Sequence, residues 1–181
     1  MIKTMKFAIT VESIKKFGFD PLARQFVLGV HVMSATSPLT WERKLDLYKS
    51  FGWSEEEIIS AFTKHPNCML ISDKKIKQMI DFYVNKLHWA SHVLLANPKL
   101  LCHGLESRVL PRCCVLSVLS SKGLIKRYPC VINGVLRLNE NKFYNKYVSK
   151  YMDQVPEVLE AYKGNLQFMG FDCGPSTVQG S

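Results

Sequence analysis

Basic residues recur in small groups along this chain: Arg43 with Lys44, then Lys74, Lys75 and Lys77, then Arg108 and Arg112. Each group falls near the expected start of a helix, where a cation is electrostatically misplaced because that end of the helix dipole is positive. Contact with a phosphate backbone accounts for them. Guanidinium groups pair phosphate oxygens through two parallel hydrogen bonds, which puts Arg43, Arg108 and Arg112 first among the candidates. Lys126, Arg127 and Arg137 extend the same set. A second set, Lys15, Lys16, Lys49, Lys86 and Lys122, lies at expected helix ends, where lysine is explained by the dipole alone.

Other chemistries find little support. His88 and His92 have the four-residue spacing of a zinc pair on a helix, but no third ligand stands near them, and no metal is expected. The six cysteines form no Cys-x-x-Cys pair and most have apolar neighbours, so reduced, buried thiols are expected rather than disulfides or a zinc site. There is no Gly-x-Ser-x-Gly elbow, Walker loop, dinucleotide fingerprint or His-Glu-x-x-His, and the acids do not converge in pairs. No enzyme activity and no cofactor are expected. Trp41, Trp53 and Trp89 have the ring faces that single-strand binders stack on bases. Trp53 and Trp89 directly follow turns, and packing between repeats is the reading for them.

The elements that must position these groups form a repeat. Lys16-Phe17-Gly18, Ser50-Phe51-Gly52, Lys86-Leu87-His88 and Ser121-Lys122-Gly123 are turns after amphipathic runs, and the landmarks Gly18, Gly52, His88 and Gly123 lie 34, 36 and 35 residues apart. A period of that length marks a helical-repeat array, in which each unit buries its apolar face on its neighbours.

The clearest unit runs from Gly52 to His88. Ser54 and Glu57 make a capping box, and Glu55, Glu56 and Glu57 suit the positive end of the helix. His65-Pro66 stops that helix, since the residue before proline avoids the helical region. After a short connector, Ser72 or Asp73 caps a second helix that buries Ile76, Met79, Ile80, Tyr83, Val84 and Leu87. By the same logic Asp20-Pro21 starts a helix, Thr40 opens one ending at Phe51, Asn97-Pro98 repeats the stop, and Ser107 to Ser121 is the next second helix. The shorter segment after His88 predicts a shortened first helix there. Asn141 to Lys163 reads as one long terminal helix. These elements make a single repeat domain over residues 1–163, followed by a Gly- and Ser-rich tail over residues 164–181 that is expected to be disordered.

Lysine and arginine total 24 against 15 acids, a net charge of +9 in 181 residues with 47% hydrophobic content. That describes a folded, monomeric domain that attracts polyanions, nucleic acid first. The apolar runs are too short to span a bilayer, and no membrane partner is expected. Met1 to Phe7 has neither signal-peptide character nor the Arg- and Ser-rich make-up of an organellar transit peptide. The chain is expected to begin inside a repeat, without upstream repeats, leaving Phe7, Ile14 and Phe17 exposed at an uncapped end.

Trp41-Glu42-Arg43-Lys44, the run Phe51-Gly52-Trp53-Ser54-Glu55-Glu56-Glu57-Ile58, Lys64-His65-Pro66, Leu105-Glu106-Ser107-Arg108-Val109-Leu110-Pro111-Arg112-Cys113 and Val118-Leu119-Ser120-Ser121-Lys122-Gly123-Leu124-Ile125 occur in that order. Together they resemble the plant branch of the mitochondrial transcription termination factor (mTERF) family over roughly residues 10–163. The resemblance implies an all-α, right-handed solenoid of two α-helices and a short 3₁₀ turn per repeat. It further implies nucleic-acid binding along a basic groove in mitochondria or chloroplasts, in transcription or intron splicing. The expectation is a regulator of organellar transcription or its termination that binds double-stranded DNA. RNA in intron splicing and a protein-interaction scaffold are the alternatives.

Overall fold

The computed structural model describes residues 2–125 and 132–171, and every regular element among them is helical. The chain groups into two compact units, Met1–Cys102 and His103–Ser181, where the sequence suggested a single repeat domain. Lys126 and Arg127 lie outside the described residues, as do residues 172–181 of the tail.

The first unit holds α1 (Ile2–Lys16), α2 (Arg24–Ala35), α3 (Pro38–Lys49), α4 (Glu55–Lys64), α5 (Asp73–Asp81) and α6 (Ser91–Ala96), with 3₁₀ turns at Pro66–Met69 and Pro98–Cys102. The Ser54 side chain accepts from the Glu57 amide at 3.2 Å while the Glu57 carboxylate accepts from the Ser54 amide at 2.8 Å, closing the capping box. Ser72 caps α5, and α6 has six residues against ten in α4, as the shortened segment required. The core combines one helix of each repeat with the 3₁₀ turn of the next: Phe62, Met69, Ile76, Met79, Tyr83, Leu94 and Leu100 are buried.

Two helix starts differ from expectation. Asp20-Pro21 makes a turn, with the Asp20 carboxylate accepting from the Leu22 amide at 2.9 Å, and α2 begins only at Arg24. Ser37, rather than Thr40, caps α3: its hydroxyl accepts from the Thr40 amide, and Pro38 takes the first helical position, where no amide is needed. At the chain's start only Phe7 is well exposed among the three apolar residues expected there. Ile14 is fully buried against α2 near Gly29, and half-buried Phe17 stacks on Trp41 at 5.9 Å.

All four landmarks adopt the left-handed conformation, with φ of 85° at Gly18, 83° at Gly52, 53° at His88 and 69° at Gly123. The interval from Gly52 to His88 is 36 residues against 34 from Gly18 to Gly52, and a π turn at Phe82–Lys86 takes up one of the two added residues, since Trp89 lies six after Tyr83 where Trp53 lies five after Tyr48. The Leu87 amide there reaches back five residues to the Phe82 carbonyl, and that of Trp89 six to Tyr83. Because the extra residue is absorbed locally, Tyr83 stacks on Trp89 at 5.0 Å as Tyr48 stacks on Trp53 at 5.1 Å one repeat earlier.

The second unit begins with a π turn at Leu105–Val109 that runs into α7 (Leu110–Ser121), with Pro111 in its first turn. Then follow α8 (Ile132–Arg137), α9 (Glu140–Phe143) with a further π turn at Tyr144–Ser149, and α10 (Glu157–Lys163), which packs on α7. The single long terminal helix expected from the sequence is therefore two, broken before Pro156, which holds Val155 out of the helical region. Residues 166–171, at the head of the expected disordered tail, lie along α7: Cys114 donates to the Leu166 carbonyl at 3.6 Å and Ser117 to that of Gly170 at 3.1 Å.

His88 is the one non-glycine residue with positive φ among those described, and it is exposed. A left-handed L-residue costs roughly 1–2 kcal/mol, part of which glycine returns as unfolded-chain entropy. His88→Gly should raise stability by about 0.5–1 kcal/mol in urea unfolding, and His88→Val should lower it; a less stable glycine variant would contradict the role of this turn.

Candidate nucleic-acid interface

Breaking each repeat between its first and second helix leaves backbone carbonyls at the break without helical partners. The basic residues singled out by the sequence divide according to what they do about this. Lys44 is buried on α3, donates to the Ile71 carbonyl just ahead of the α5 cap, and contacts the Asp73 carboxylate at 2.5 Å. Half-buried Lys75 donates to the Cys102 carbonyl at 2.8 Å, 27 residues along.

In the second unit Arg112, 1% exposed, donates to the carbonyls of Val135 at 3.2 Å and Leu138 at 2.7 Å and to Glu140 at 2.7 Å, while its guanidinium lies 4.4 Å from the centre of the Phe143 ring. Arg108 adds hydrogen bonds to Leu138 at 2.5 Å and Glu140 at 3.4 Å. Three breaks between helices are thus bridged by cations of the preceding second helix. Two of these breaks end in an acid at the first helical position, Asp73 or Glu140, which that helix end favours.

This corrects the expectation for Lys44 and Arg112, whose burial removes them from any phosphate. Arg108 and Lys75 are half-buried and committed to carbonyls in the same way. A cation at a helix start is unfavourable for its own helix, but it is balanced by carbonyls of the next repeat, which a sequence pattern does not display.

Arg43, Lys74 and Lys77 remain on the surface of the first unit. Arg43, its side chain 64% exposed, contacts Asp73 at 3.4 Å. Hydrogen bonding from Lys44, followed by the charges of Lys44, Arg43 and Lys77, holds the Asp73 carboxyl below its ordinary range against the opposing effect of burial. Three cations therefore surround one carboxylate, and the cluster keeps a positive excess.

The sequence reading passed over a row in the second unit: Lys142 on α9, Lys146 on its π turn and Lys150 just after that turn are exposed at four-residue spacing, with no ion pair among the described residues. The spacing alone places them on one face. Assigned to a terminal helix read for its apolar side, they escaped notice.

Trp53 and Trp89 are buried in the tyrosine stacks, and half-buried Trp41 packs on Phe17 and Phe62, so all three rings serve the core. The described residues contain no cluster of three potential metal ligands, and no described helix is long and apolar enough to cross a membrane. Burial pushes the Cys102 thiol up to about 11 and raises those of Cys68 and Cys113 further, which disfavours the reactive thiolate.

A family model described as mTERF matches residues 3–144. Among curated proteins the chain is 26% identical over 97 residues, 54% of its length, to the transcription termination factor MTERF8, chloroplastic, of Arabidopsis thaliana. It is 26% identical over 110 residues, 60% of its length, to MTERF15, mitochondrial, of the same plant. These alignments cover 19% and 24% of the two relatives, so the chain spans roughly a fifth to a quarter of their length. No solved structure matches.

Arg112→Met should destabilise the chain by about 2–4 kcal/mol in denaturant unfolding, since it strips partners from buried carbonyls, whereas Lys74→Gln and Lys77→Gln should each change it by less than about 0.5 kcal/mol. Burial acts to raise the Glu140 carboxyl, but hydrogen bonds from Tyr162 and Arg112 and the charges of Arg112 and Arg108 outweigh it, and its pKa lies below the ordinary value. Its stabilising contribution is therefore complete above the ordinary carboxylate range and lost as pH falls through the lowered value. Glu140→Gln should weaken the protein at neutral pH, with the gap to the parent chain closing in acid; a constant gap would contradict the ion pairing.

Proposed function

Because the chain belongs to the mTERF family, we propose that it binds nucleic acid, double-stranded DNA by preference, and regulates transcription or its termination in a mitochondrion or chloroplast. It acts as a binding protein without catalytic chemistry. The observation that carries the reading is the unbalanced cluster at the start of α5, where Arg43, Lys74 and Lys77 stay exposed around a single carboxylate that Lys44 already engages. An exposed cationic cluster of this kind neutralises phosphates and releases their counterions. Lys142, Lys146 and Lys150 offer the same chemistry in the second unit. The names of the two Arabidopsis relatives, one chloroplastic and one mitochondrial, support the organellar setting and the link to transcription termination.

Contacts of this type fix the backbone rather than read bases, so selectivity must come from duplex shape and few base edges. Fluorescence anisotropy with duplex DNA, single-stranded DNA and structured RNA at two salt concentrations tests the reading. Duplex DNA should bind tightest, with log K falling by about 0.9 per tenfold rise in salt for each phosphate neutralised. The triple variant Arg43→Gln, Lys74→Gln, Lys77→Gln should flatten that slope by about two to three units. Tightest binding to structured RNA would move the role to splicing, and no binding to any of the three would overturn the reading.

A further inference from the structure

Among the described residues, one break between helices has no basic bridge. At the α2–α3 break the residue ahead of the cap is Thr36, in the place of Ile71 and Leu138, and the first helical position is Pro38, in the place of Asp73 and Glu140. Thr10 occupies the position of the bridging cation. It lies eight residues before Gly18, as Lys44 lies eight before Gly52, and 26 before Thr36, as Arg112 lies 26 before Leu138. Where the other breaks hold a buried or half-buried lysine or arginine, this one has a cavity of ≈ 340 Å³. Ile9, Thr10, Met33, Thr36, Trp41 and Glu42 line it, with no basic side chain among the described lining residues.

The geometry points to a binding site for an arginine or lysine side chain presented by a partner polypeptide. Each feature matches that group. Ile9, Met33 and the Trp41 ring accept an aliphatic stem. Thr36, among the lining residues, stands at the end of a broken helix in the place of Ile71 and Leu138, whose carbonyls accept from Lys44 and Arg112. The exposed carboxylate of Glu42 stands among the lining residues in the absence of an acid at position 38, and it is in no ion pair among the described residues. A guanidinium or ammonium entering here replaces water with charge-assisted hydrogen bonds.

The surroundings favour a polypeptide over a small amine. Phe7 and Leu39, beside the lining residues in sequence, are 57% and 77% exposed, and Ile9 is 62% exposed. An apolar rim around a site for one charge fits a protein segment whose basic residue is flanked by apolar ones.

Glu42 of this site is next in sequence to Arg43, one of the exposed cations of the nucleic-acid reading, so the test contains no nucleic acid and the two readings can fail separately. Titrate the isotope-labelled 181-residue chain with a capped pentapeptide carrying a central arginine among alanines. Compare it with the same peptide carrying citrulline, which keeps the shape and loses the charge, and with spermidine. The arginine peptide should shift the Trp41 indole and the Met33 and Thr36 amides saturably, and bind at least about tenfold tighter than the citrulline peptide. Thr10→Arg, which supplies the group from within, should abolish those shifts and raise the Tm by a few degrees. Equal binding of the two peptides, shifts centred elsewhere, or a Thr10→Arg chain that melts lower and still binds the peptide would each overturn the assignment. Tighter binding of spermidine than of the arginine peptide would overturn the partner polypeptide as occupant.

Discussion

Backbone carbonyls at the end of a broken helix must find donors, and this requirement organises the chain. A repeat that stops one helix at His65-Pro66 or Asn97-Pro98 and starts another within a few residues exposes polar backbone in the middle of a protein. Capping by Ser37, Ser72 and Asn139 settles the amides of the following helix. The carbonyls are settled from outside, by Lys44, Lys75, Arg108 and Arg112 of the preceding second helix. Neighbouring repeats are thereby joined by directional bonds as well as by apolar packing. The bonds fix the position of one repeat along the next, which apolar contact alone leaves loose.

The same requirement divides the positive charge. Some of the basic residues that make the chain cationic are internal fittings, and the field felt by a polyanion comes from the remainder. Arg43 and Lys44 illustrate this: adjacent in sequence and facing the same Asp73, one is exposed and the other buried. Interaction and architecture thus use one residue type, and burial decides which role each residue plays.

Much of the fold was legible. The capping box, the landmark turns and the apolar spacing of α5 are local signals, each set by a few neighbouring residues, and each appears in the structure where the sequence placed it. What failed was non-local. The break before Pro156, the burial of Ile14 under α2 and the π turns depend on packing that no short window contains. For the site the failure has one cause: Lys44 and Arg112 looked anomalous in their own helices, and the carbonyls that explain them lie 26 or 27 residues away. Arg43, Lys74 and Lys77 stood in the same list, and only the structure distinguishes them. The row Lys142, Lys146 and Lys150 had a readable spacing but lay in a segment classed by its apolar face.

The π turn at Phe82–Lys86 has a consequence for how such arrays diverge. An additional residue within a second helix is looped into one wide turn, and the tyrosine–tryptophan stack on its far side reforms as in the shorter repeat. Repeat length is therefore not a strict structural constant. A gene encoding this architecture can gain a codon inside a helix without moving the neighbouring repeats, and π turns can serve as scars recording where such insertions were accepted.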